Sequence, residues 1–254
     1  MPVKTRVYLY PEKPVSSRIL NPEAVHGLFF NTISEKLAEE LHKPSRVKPF
    51  SLWFPQFYKE EKILEKIYLE ISFLKEELFP QFLSSYVLEN KEISLNGVKL
   101  RKVFNPNIKE EYVKSYVAIF EGAKEENTIV MDFITPTTFK RGEFDHPLPE
   151  PKLIFKSLIR KWVKFSDYPL DIDLREVIEN KIFVSGAWIR TVKVSIGKNA
   201  KITGFTGRVV FYVDCDDKKV LKWLNALAHF GEFAGVGRKT TMGFGRVRFV
   251  LNTS

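Results

Sequence analysis

Histidine and lysine are the side chains of this sequence that could move protons near neutral pH. His42 ends a helical segment, in "EELHKPSRVKPF", where Pro44 breaks the helix and basic residues follow. Neighbouring cations disfavour protonation of an imidazole, which would leave His42 able to accept a proton. The structural alternative is a histidine that caps the last carbonyls of its helix. His26 lies earlier on the same segment, in the apolar run "VHGLFF", which indicates partial burial.

A glycine-rich stretch near the C-terminus, "GVGRKTTMGFG", could hold phosphate. Its pattern is G-x-G-x(5)-G-x-G, and a chain without Cβ atoms can present backbone N–H groups to a phosphate backbone. It is not a Walker A loop, because Arg238 precedes Lys239 where glycine is required, and because it leads from a helix into a strand. A flexible turn is the alternative. The residues that we expect to contribute are Gly235, Gly237, Gly243, Gly245, Arg238, Lys239, Arg246 and Arg248.

A row of cations marks the predicted helix 150–165. Such a stripe is usually a solvated face, but beside a nucleic-acid site it could follow a phosphate backbone. We therefore keep Lys156 and Arg160 as secondary contacts. The cationic row and the apolar row opposite it are Lys152, Lys156, Arg160, Lys164 and Ile154, Leu158, Trp162, Phe165.

Other chemistries have little support in the sequence. The four histidines are scattered without paired ligand spacing, so we predict no metal site. Asp214, Asp216 and Asp217 are better interpreted as caps of the helix that follows them. No glycine-serine elbow marks a serine hydrolase, and Cys215, in an apolar strand, is typical of a core residue.

Charge is distributed unevenly along the 254 residues. The net charge is +9, which favours a polyanionic partner. Residues 1–180 carry 27 basic and 27 acidic side chains, whereas residues 181–254 carry 13 basic and 4 acidic ones. The whole excess therefore lies in the part of the chain that contains the glycine-rich stretch.

Composition predicts a globular protein of the cytoplasm. Hydrophobic residues make up 44% and aromatic residues 14%, and no run approaches the ~20 apolar residues of a membrane span. The N-terminus does not look like a secretory signal, and the single cysteine fits a reducing compartment.

The predicted elements repeat one order twice. The first half of the chain reads β-α-β-β-α-β. Its elements are strand "TRVYLY", helix 21–42 with Asn21 as its N-cap, strands "KPFSLWF" and "KIYLEISFL", helix "KEELFPQFLSSYVLE" and strand "VKLRKVF". The second half repeats this order. Its elements are a strand from 129 that ends at Pro136, helix 150–165, strands 181–196 and 204–213, helix 216–233 and a last strand from 245. This is the order of the ferredoxin-like fold. We therefore predict an α+β protein of two tandem ferredoxin-like, RRM-like domains, 1–125 and 126–254.

Three stretches resemble the CRISPR-associated repeat-processing endoribonucleases of the repeat-associated protein superfamily. They are "HGLFFNTISEKLAEELHKPSRVKPF", "MDFITPTTF" and "FGEFAGVGRKTTMGFGRVRF", which together span nearly the whole chain. The resemblance implies a metal-independent enzyme, with no cofactor, that binds CRISPR precursor RNA and cleaves once within each repeat. In that reaction the 2′-hydroxyl attacks the adjacent phosphorus and leaves a 2′,3′-cyclic phosphate and a 5′-hydroxyl.

The resemblance also implies roles for particular residues. His42 and Lys48 match the histidine and lysine of a histidine, tyrosine and lysine triad, and Phe30 stands at the tyrosine position. Phenylalanine cannot donate a proton, so either His42 and Lys48 suffice or His26 supplies the missing group. His42 would be the general base and Lys48 would stabilise the phosphorane. The glycine-rich stretch would hold repeat RNA, and Arg190 and Lys193 fit the same surface.

Two other functions fit parts of the sequence. One is a binding-only subunit of a CRISPR effector complex, which the missing tyrosine favours and the His42 and Lys48 pair opposes. The other is an enzyme acting on a phosphorylated small molecule, which does not explain charge spread over the last 74 residues. Expected partners are therefore repeat RNA, as precursor and as processed guide, and an effector complex. The aromatic content permits a homodimer, and we expect no membrane partner.

Overall fold

The computed structural model describes residues 1–54, 61–89, 92–107, 112–197 and 200–250, with side chains omitted for 104–107. The strands are β1 (Val3–Pro11), β2 (Val15–Ser16), β3 (Phe50–Trp53), β4 (Ile63–Leu64), β5 (Ile67–Phe73), β6 (Ile93–Leu95), β7 (Val98–Asn107), β8 (Thr128–Thr137), β9 (Phe139–Arg141), β10 (Phe144–His146), β11 (Ile182–Ser195), β12 (Lys201–Val213) and β13 (Val247–Val250). The helices are α1 (Pro22–Asn31), α2 (Glu35–His42), α3 (Leu78–Leu88), α4 (Tyr116–Glu121), α5 (Pro151–Phe165), α6 (Arg175–Asn180) and α7 (Lys218–Ala234).

Two antiparallel sheets share one strand order. The first is β3-β5-β1-β7 with β6 added at its edge, and the second is β11-β12-β8-β13. In both, the first strand of the domain lies between the third and the fourth, which is the ferredoxin-like arrangement. The predicted α+β fold of two tandem ferredoxin-like domains is confirmed. The boundary near residue 125 stays a prediction.

The predicted helix 21–42 is two helices, which corrects the sequence interpretation. Asn21 caps α1 as expected, with its side-chain oxygen accepting from the N–H of Ala24 at 2.9 Å. The Thr32 hydroxyl then donates to the Phe29 carbonyl at 2.6 Å, and the Ser34 side chain caps α2. Hydroxyl side chains that compete for backbone groups stop one helix and start the next. The break lets α2 fold back beside α1.

Pro136 does not end its strand, which corrects a second prediction. Strand β8 continues to Thr137, and its pairing with β12 shifts register between Phe205 and Gly207, so that β8 carries extra residues there. Proline is tolerated at such a bulge because no ladder N–H is needed.

The core confirms several side-chain expectations. Of the apolar row on α5, Ile154, Leu158 and Trp162 are fully buried. The Asp217 side chain caps α7, accepting from the N–H of Lys219 at 2.9 Å. Within the described residues, no helix combines the length and the hydrophobicity needed to cross a membrane.

Candidate active site between the two domains

The largest group of predicted site residues lines one cleft, about 550 Å³ in volume, between the two domains. One wall comes from α1, α2 and the segment after α2, and the other from α5 and the glycine-rich loop, here residues 235–245. His26, His42, Lys48, Arg160, Gly237, Arg238 and Lys239 all line it.

Helices α1 and α2 bring three rings together. His26 and Phe30 are one turn apart on α1, with ring centres 4.9 Å apart, and His42 is the last residue of α2. The His42 ring stacks on Phe30 at 3.8 Å and 14°, and its centre lies 5.9 Å from that of His26. The exposed imidazole of His42 therefore packs face to face on the ring of Phe30. Two imidazoles this close, on one wall of a cleft, can share acid and base roles.

His26 is tied to the opposite wall. Its Nδ1 lies 2.8 Å from the carbonyl oxygen of Thr241, which can only accept, so Nδ1 carries the proton and Nε2 keeps a lone pair in the neutral ring. Burial lowers the pKa of His26, the bond to Thr241 opposes this, and the charges of His42, Lys239 and Lys48 lower it further. The arrangement favours a neutral imidazole with a free Nε2.

Lys48 lies at the C-terminus of α2. Its Nζ donates to the carbonyls of Leu41, His42 and Lys43 at 3.0, 3.1 and 2.7 Å. Burial, assisted by the charge of Lys164, lowers its pKa. Since the ammonium group has three protons, contact with a phosphate would replace one of these bonds. The role of Lys48 in phosphorane stabilisation stays a prediction.

The cleft is strongly positive. Seven cationic side chains line it, and none of the described lining residues is a carboxylate. Arg238 alone among the seven pairs with a carboxylate of the described residues, Asp145 at 2.7 Å. A cavity with this charge suits a polyanion. The seven are Arg46, Lys48, Lys140, Arg160, Lys161, Arg238 and Lys239.

The glycines of the loop permit its shape. Gly237 has φ +81°, and a Cβ there would lie 2.4 Å from the Thr138 carbonyl oxygen; Gly245 has φ +70°, and a Cβ would lie 2.0 Å from that of Val236. The amides of Gly235, Gly237 and Gly245 donate to the Gly231 carbonyl, the Ser157 hydroxyl and the Pro136 carbonyl. Side-chain-free backbone is required here for close packing. RNA contact by Gly235, Gly237, Gly243 and Gly245 stays a prediction.

Eight predicted RNA-binding residues are not part of the cleft lining: Gly235, Gly243 and Gly245 of the loop, and five basic residues. Arg246 is mostly buried and pairs with Glu70 at 2.6 Å, and Arg248 pairs with Asp132 at 2.6 Å. Lys156 pairs with Glu179 of α6. Arg190 and Lys193 are exposed on β11, away from the cleft lining. RNA contact by these residues stays a prediction, and it would take place outside the cleft.

Sequence reasoning missed three residues of the cleft. Lys161 is 3% exposed, between two predicted rows of α5, and Ser157 accepts the N–H of Gly237 one turn earlier. Lys140 follows β8 in "TTFKRG" and lies in β9, where the strand pattern gives no sign that its charge faces the cleft. The i, i+4 spacing of Ser157 and Lys161 is a signal that could have found them, because both share one helix face.

Fold and cleft define a class: a tandem ferredoxin-like protein whose domains enclose a positive cleft with paired imidazoles. Residues 131–247 match the family model described as CRISPR-associated endoribonuclease Cas6. The Cas6 endoribonuclease of Mycobacterium tuberculosis (strain H37Rv) is 27% identical over 232 residues, 88% of this chain and 70% of that protein. The one of Streptococcus thermophilus is 27% identical over 165 residues, 64% and 67% of the two chains.

Solved structures agree over nearly the whole chain. A Cas6 product complex superposes with a TM-score of 0.82 at 26% identity, covering 98% of this chain and 100% of that one. A Thermus thermophilus Cas6 gives a TM-score of 0.76 at 28% identity, covering 98% of each chain. The resemblance to the CRISPR-associated repeat-processing endoribonuclease family is therefore confirmed by the family model, by the curated relatives and by the solved structures.

Proposed function

We propose that this protein is a metal-independent endoribonuclease that binds CRISPR precursor RNA and cleaves within each repeat to release guide RNAs. One observation carries the proposal: two imidazoles, 5.9 Å apart, face a cleft whose described lining holds seven cations and no carboxylate. The cations suit a phosphate backbone, and the imidazoles suit proton transfer at one phosphate.

The reaction needs a base and an acid on either side of one phosphate. His42 takes the proton of the 2′-hydroxyl, and the 2′-oxygen forms a bond to the adjacent phosphorus. The bond from phosphorus to the 5′-oxygen breaks, and His26, entering the step as the imidazolium, gives that oxygen the proton of Nε2. The two rings can also exchange these duties: neutral His26, with its lone pair on Nε2, then takes the 2′-hydroxyl proton, and the imidazolium of His42 gives a proton to the 5′-oxygen. The lowered pKa of His26 favours this second assignment. The products are a 2′,3′-cyclic phosphate and a 5′-hydroxyl. Each imidazole contributes roughly 10²- to 10⁴-fold to such a step.

Cations stabilise the charge of the phosphorane in this proposal. Lys48 is next to His42 in the cleft and carries the family-implied role, with one carbonyl bond exchanged for a phosphate oxygen. Lys239 is exposed at the rim and Arg238 adjoins it, so both can follow the RNA backbone. Bound RNA would displace water from the cleft, and such contacts act more strongly there than in solution.

Relatives support the enzyme over the binding-only alternative. The matched proteins of M. tuberculosis and S. thermophilus are named endoribonucleases, and the matched structures include a Cas6 product complex and a Cas6 substrate mimic complex. We therefore favour repeat RNA as the substrate of this chain and do not favour a non-catalytic subunit.

The test is cleavage of end-labelled CRISPR repeat RNA in EDTA. We expect one cut within the repeat, a product that carries a 2′,3′-cyclic phosphate, and no cut in RNA with a 2′-deoxy nucleotide at the site. His42→Ala should lose cleavage and keep binding. His146→Ala is the matched control, since that histidine pairs with Glu150 at 3.2 Å and does not line the cleft.

Three results would contradict the proposal. Binding without cleavage would make the protein a binding subunit. Cleavage that stops in EDTA and returns with Mg²⁺ would overturn the metal-free reaction. Cleavage of the 2′-deoxy RNA would overturn attack by the 2′-hydroxyl.

A further inference from the structure

Lys161 is a buried lysine with no carboxylate partner among the described residues. It lies in the interior of α5 and is 3% exposed. Its Nζ donates to the carbonyls of Ala234 and Gly235 at 2.6 and 2.9 Å, and to the Thr240 hydroxyl oxygen at 3.4 Å. Burial lowers its pKa to about 7. Three acceptors therefore meet the three donors of one ammonium group.

These acceptors lie at the two ends of a single loop segment. Ala234 is the last residue of α7, whose C-terminal carbonyls carry partial negative charge that a cation complements. Thr240 begins the short turn Thr240–Met242 on the far side of the loop. One side chain thus joins the start of the glycine-rich loop to its middle.

Ser157 completes the attachment one turn earlier on α5. Its hydroxyl oxygen accepts the N–H of Gly237 at 3.0 Å, and the Arg238 N–H donates to the Thr138 carbonyl at 3.0 Å. Helix α5, through Ser157 and Lys161, and Thr138 after β8 therefore hold the loop at several points. Little freedom remains for the turn that follows Lys239.

That turn carries the carbonyl that binds His26. Thr241 directly follows Thr240, and its carbonyl oxygen lies 2.8 Å from Nδ1 of His26. The position of this oxygen selects the tautomer with the proton on Nδ1 and the lone pair on Nε2. A displaced Thr241 carbonyl would free the ring to rotate or to change tautomer.

We propose that Lys161 is a positioning residue for His26: it holds the Thr240–Thr241 turn so that the Thr241 carbonyl fixes the orientation and tautomer of the imidazole. The catalytic consequence rests on the proposed function, whereas the effect on the ring does not. Replacement by an apolar side chain leaves two buried carbonyls without their donor, and the turn moves to satisfy them.

The experiment uses Lys161→Met, which keeps the length of the side chain and removes its donors. Long-range ¹H–¹⁵N spectra of the free protein report the ring nitrogens of His26, whose signals are assigned by their absence in His26→Asn. We expect a dominant Nδ1–H tautomer in the wild type and a mixture in Lys161→Met. In single-turnover cleavage we expect a rate about tenfold to a hundredfold lower, with RNA affinity changed less than about threefold.

Lys152→Met is the matched control on the same helix. Lys152 pairs with Glu179 and does not line the cleft, so its removal should leave spectrum, rate and affinity unchanged. A Lys161→Met protein that is folded by thermal melting and keeps the wild-type tautomer overturns the proposal. A wild type that cleaves no repeat RNA, together with the tautomer change, refutes the proposed function and supports the positioning role.

A second variant covers the case in which Lys161→Met does not fold. Thr240→Val keeps the shape of a buried side chain and removes only the hydroxyl that Lys161 contacts. We expect a smaller decrease of the Nδ1–H tautomer of His26 in this variant. A spectrum identical to that of the wild type would overturn the proposal on its own.

Discussion

The two domains meet at two cationic junctions that differ in their acidic residues. The first is the cleft, where none of the described lining residues is a carboxylate. The second lies between β1, β5 and β13, where buried Glu70 binds Arg6 at 3.0 Å and Arg246 at 2.6 Å, beside buried Lys4. We call Lys4, Arg6, Glu70 and Arg246 the Glu70 cluster.

The presence or absence of a carboxylate distinguishes cations that stabilise the fold from cations that can bind a ligand. In the Glu70 cluster a carboxylate neutralises arginines that reach it from both domains, so their donors are occupied before any RNA arrives. In the cleft, Arg238 pairs with Asp145, whereas the other six cations are held by backbone carbonyls or project into solvent. An anion from outside would be the first strong partner of these six. A basic residue near the C-terminus can therefore have a structural role, as the pairing of Arg246 with Glu70 illustrates.

Removing the imidazoles should affect the cleft most. His42→Ala and His26→Asn should each lower single-turnover cleavage by roughly 10²- to 10⁴-fold, because one proton transfer is lost, while thermal stability changes little. Asparagine can still donate to the Thr241 carbonyl, so His26→Asn isolates the loss of proton transfer. The measurement is cleavage at saturating protein with a binding assay alongside.

A modified substrate then divides the two roles. RNA with a 5′-sulfur leaving group at the cut site needs no acid. The variant that lacks the acid should therefore cleave this RNA at close to the wild-type rate, whereas the variant that lacks the base should stay slow. Wild-type cleavage rates in both variants would show that the imidazoles are not the acid and base. The cleft would then differ from the second junction in charge but not in catalysis.

Removing the carboxylate should affect the Glu70 cluster most. Glu70→Gln leaves Arg6, Arg246 and Lys4 close together without their counter-charge, and breaking a buried pair in this way costs about 3–5 kcal/mol. Burial already lowers the pKa of Lys4 to about 8, with the charge of Arg246 adding to the effect. Urea unfolding measures the loss, and cleavage per folded molecule should be unchanged.

Glu61→Gln is the matched control for that loss. Glu61 also pairs with an arginine at 3.0 Å, Arg18, but both side chains are exposed. Exposed pairs contribute about 0–1 kcal/mol, so this variant should unfold near the wild-type midpoint. Equal losses in the two variants would mean that the Glu70 cluster is no more structural than a surface pair.

Local patterns predicted the fold, and tertiary contacts decided the site. Asn21 and Asp217 cap their helices as the sequence indicates, and the strand order follows from two runs of alternating elements. The closeness of His26 and His42 could not be predicted, because a single helix 21–42 would hold them far apart and the Thr32–Ser34 break brings them together. Lys161 was missed because its charge argues for a surface position, whereas tertiary contacts with Ala234, Gly235 and Thr240 explain its burial.

His229 offers a pH test of the second junction. It lies beside Lys114, whose Nζ is 3.3 Å from Nε2, and burial, with the charges of Lys114 and Lys4, lowers its pKa to about 4. The folded state therefore binds fewer protons than the unfolded state between pH 4 and 6.5, and stability falls as the pH decreases through this window. Full acidification should cost about 3 kcal/mol.

His229→Gln should remove that dependence. The wild type should lose about 3 kcal/mol more than the variant between pH 6.5 and pH 4 in urea unfolding. Cleavage at neutral pH should stay the same, because His229 does not line the cleft. Parallel stability curves for the two proteins would show that His229 is not held neutral, and the second junction would then tolerate added charge.

The smallest expected effect concerns single cations of the cleft. Lys239 is exposed at its rim, so Lys239→Ala should leave the fold intact and remove one phosphate contact. Binding of repeat RNA should weaken about tenfold at low salt, and the slope of log affinity against log salt should fall in magnitude by about 1. Lys218→Ala is the matched control, because Lys218 begins α7 and the glycine-rich loop follows its end, about 25 Å away at 1.5 Å per residue. An equal change of slope in the control would mean that RNA binding depends on the overall charge of the protein and not on the cleft. A change confined to Lys239 would instead locate the phosphate backbone in the cleft, where none of the described lining residues is a carboxylate.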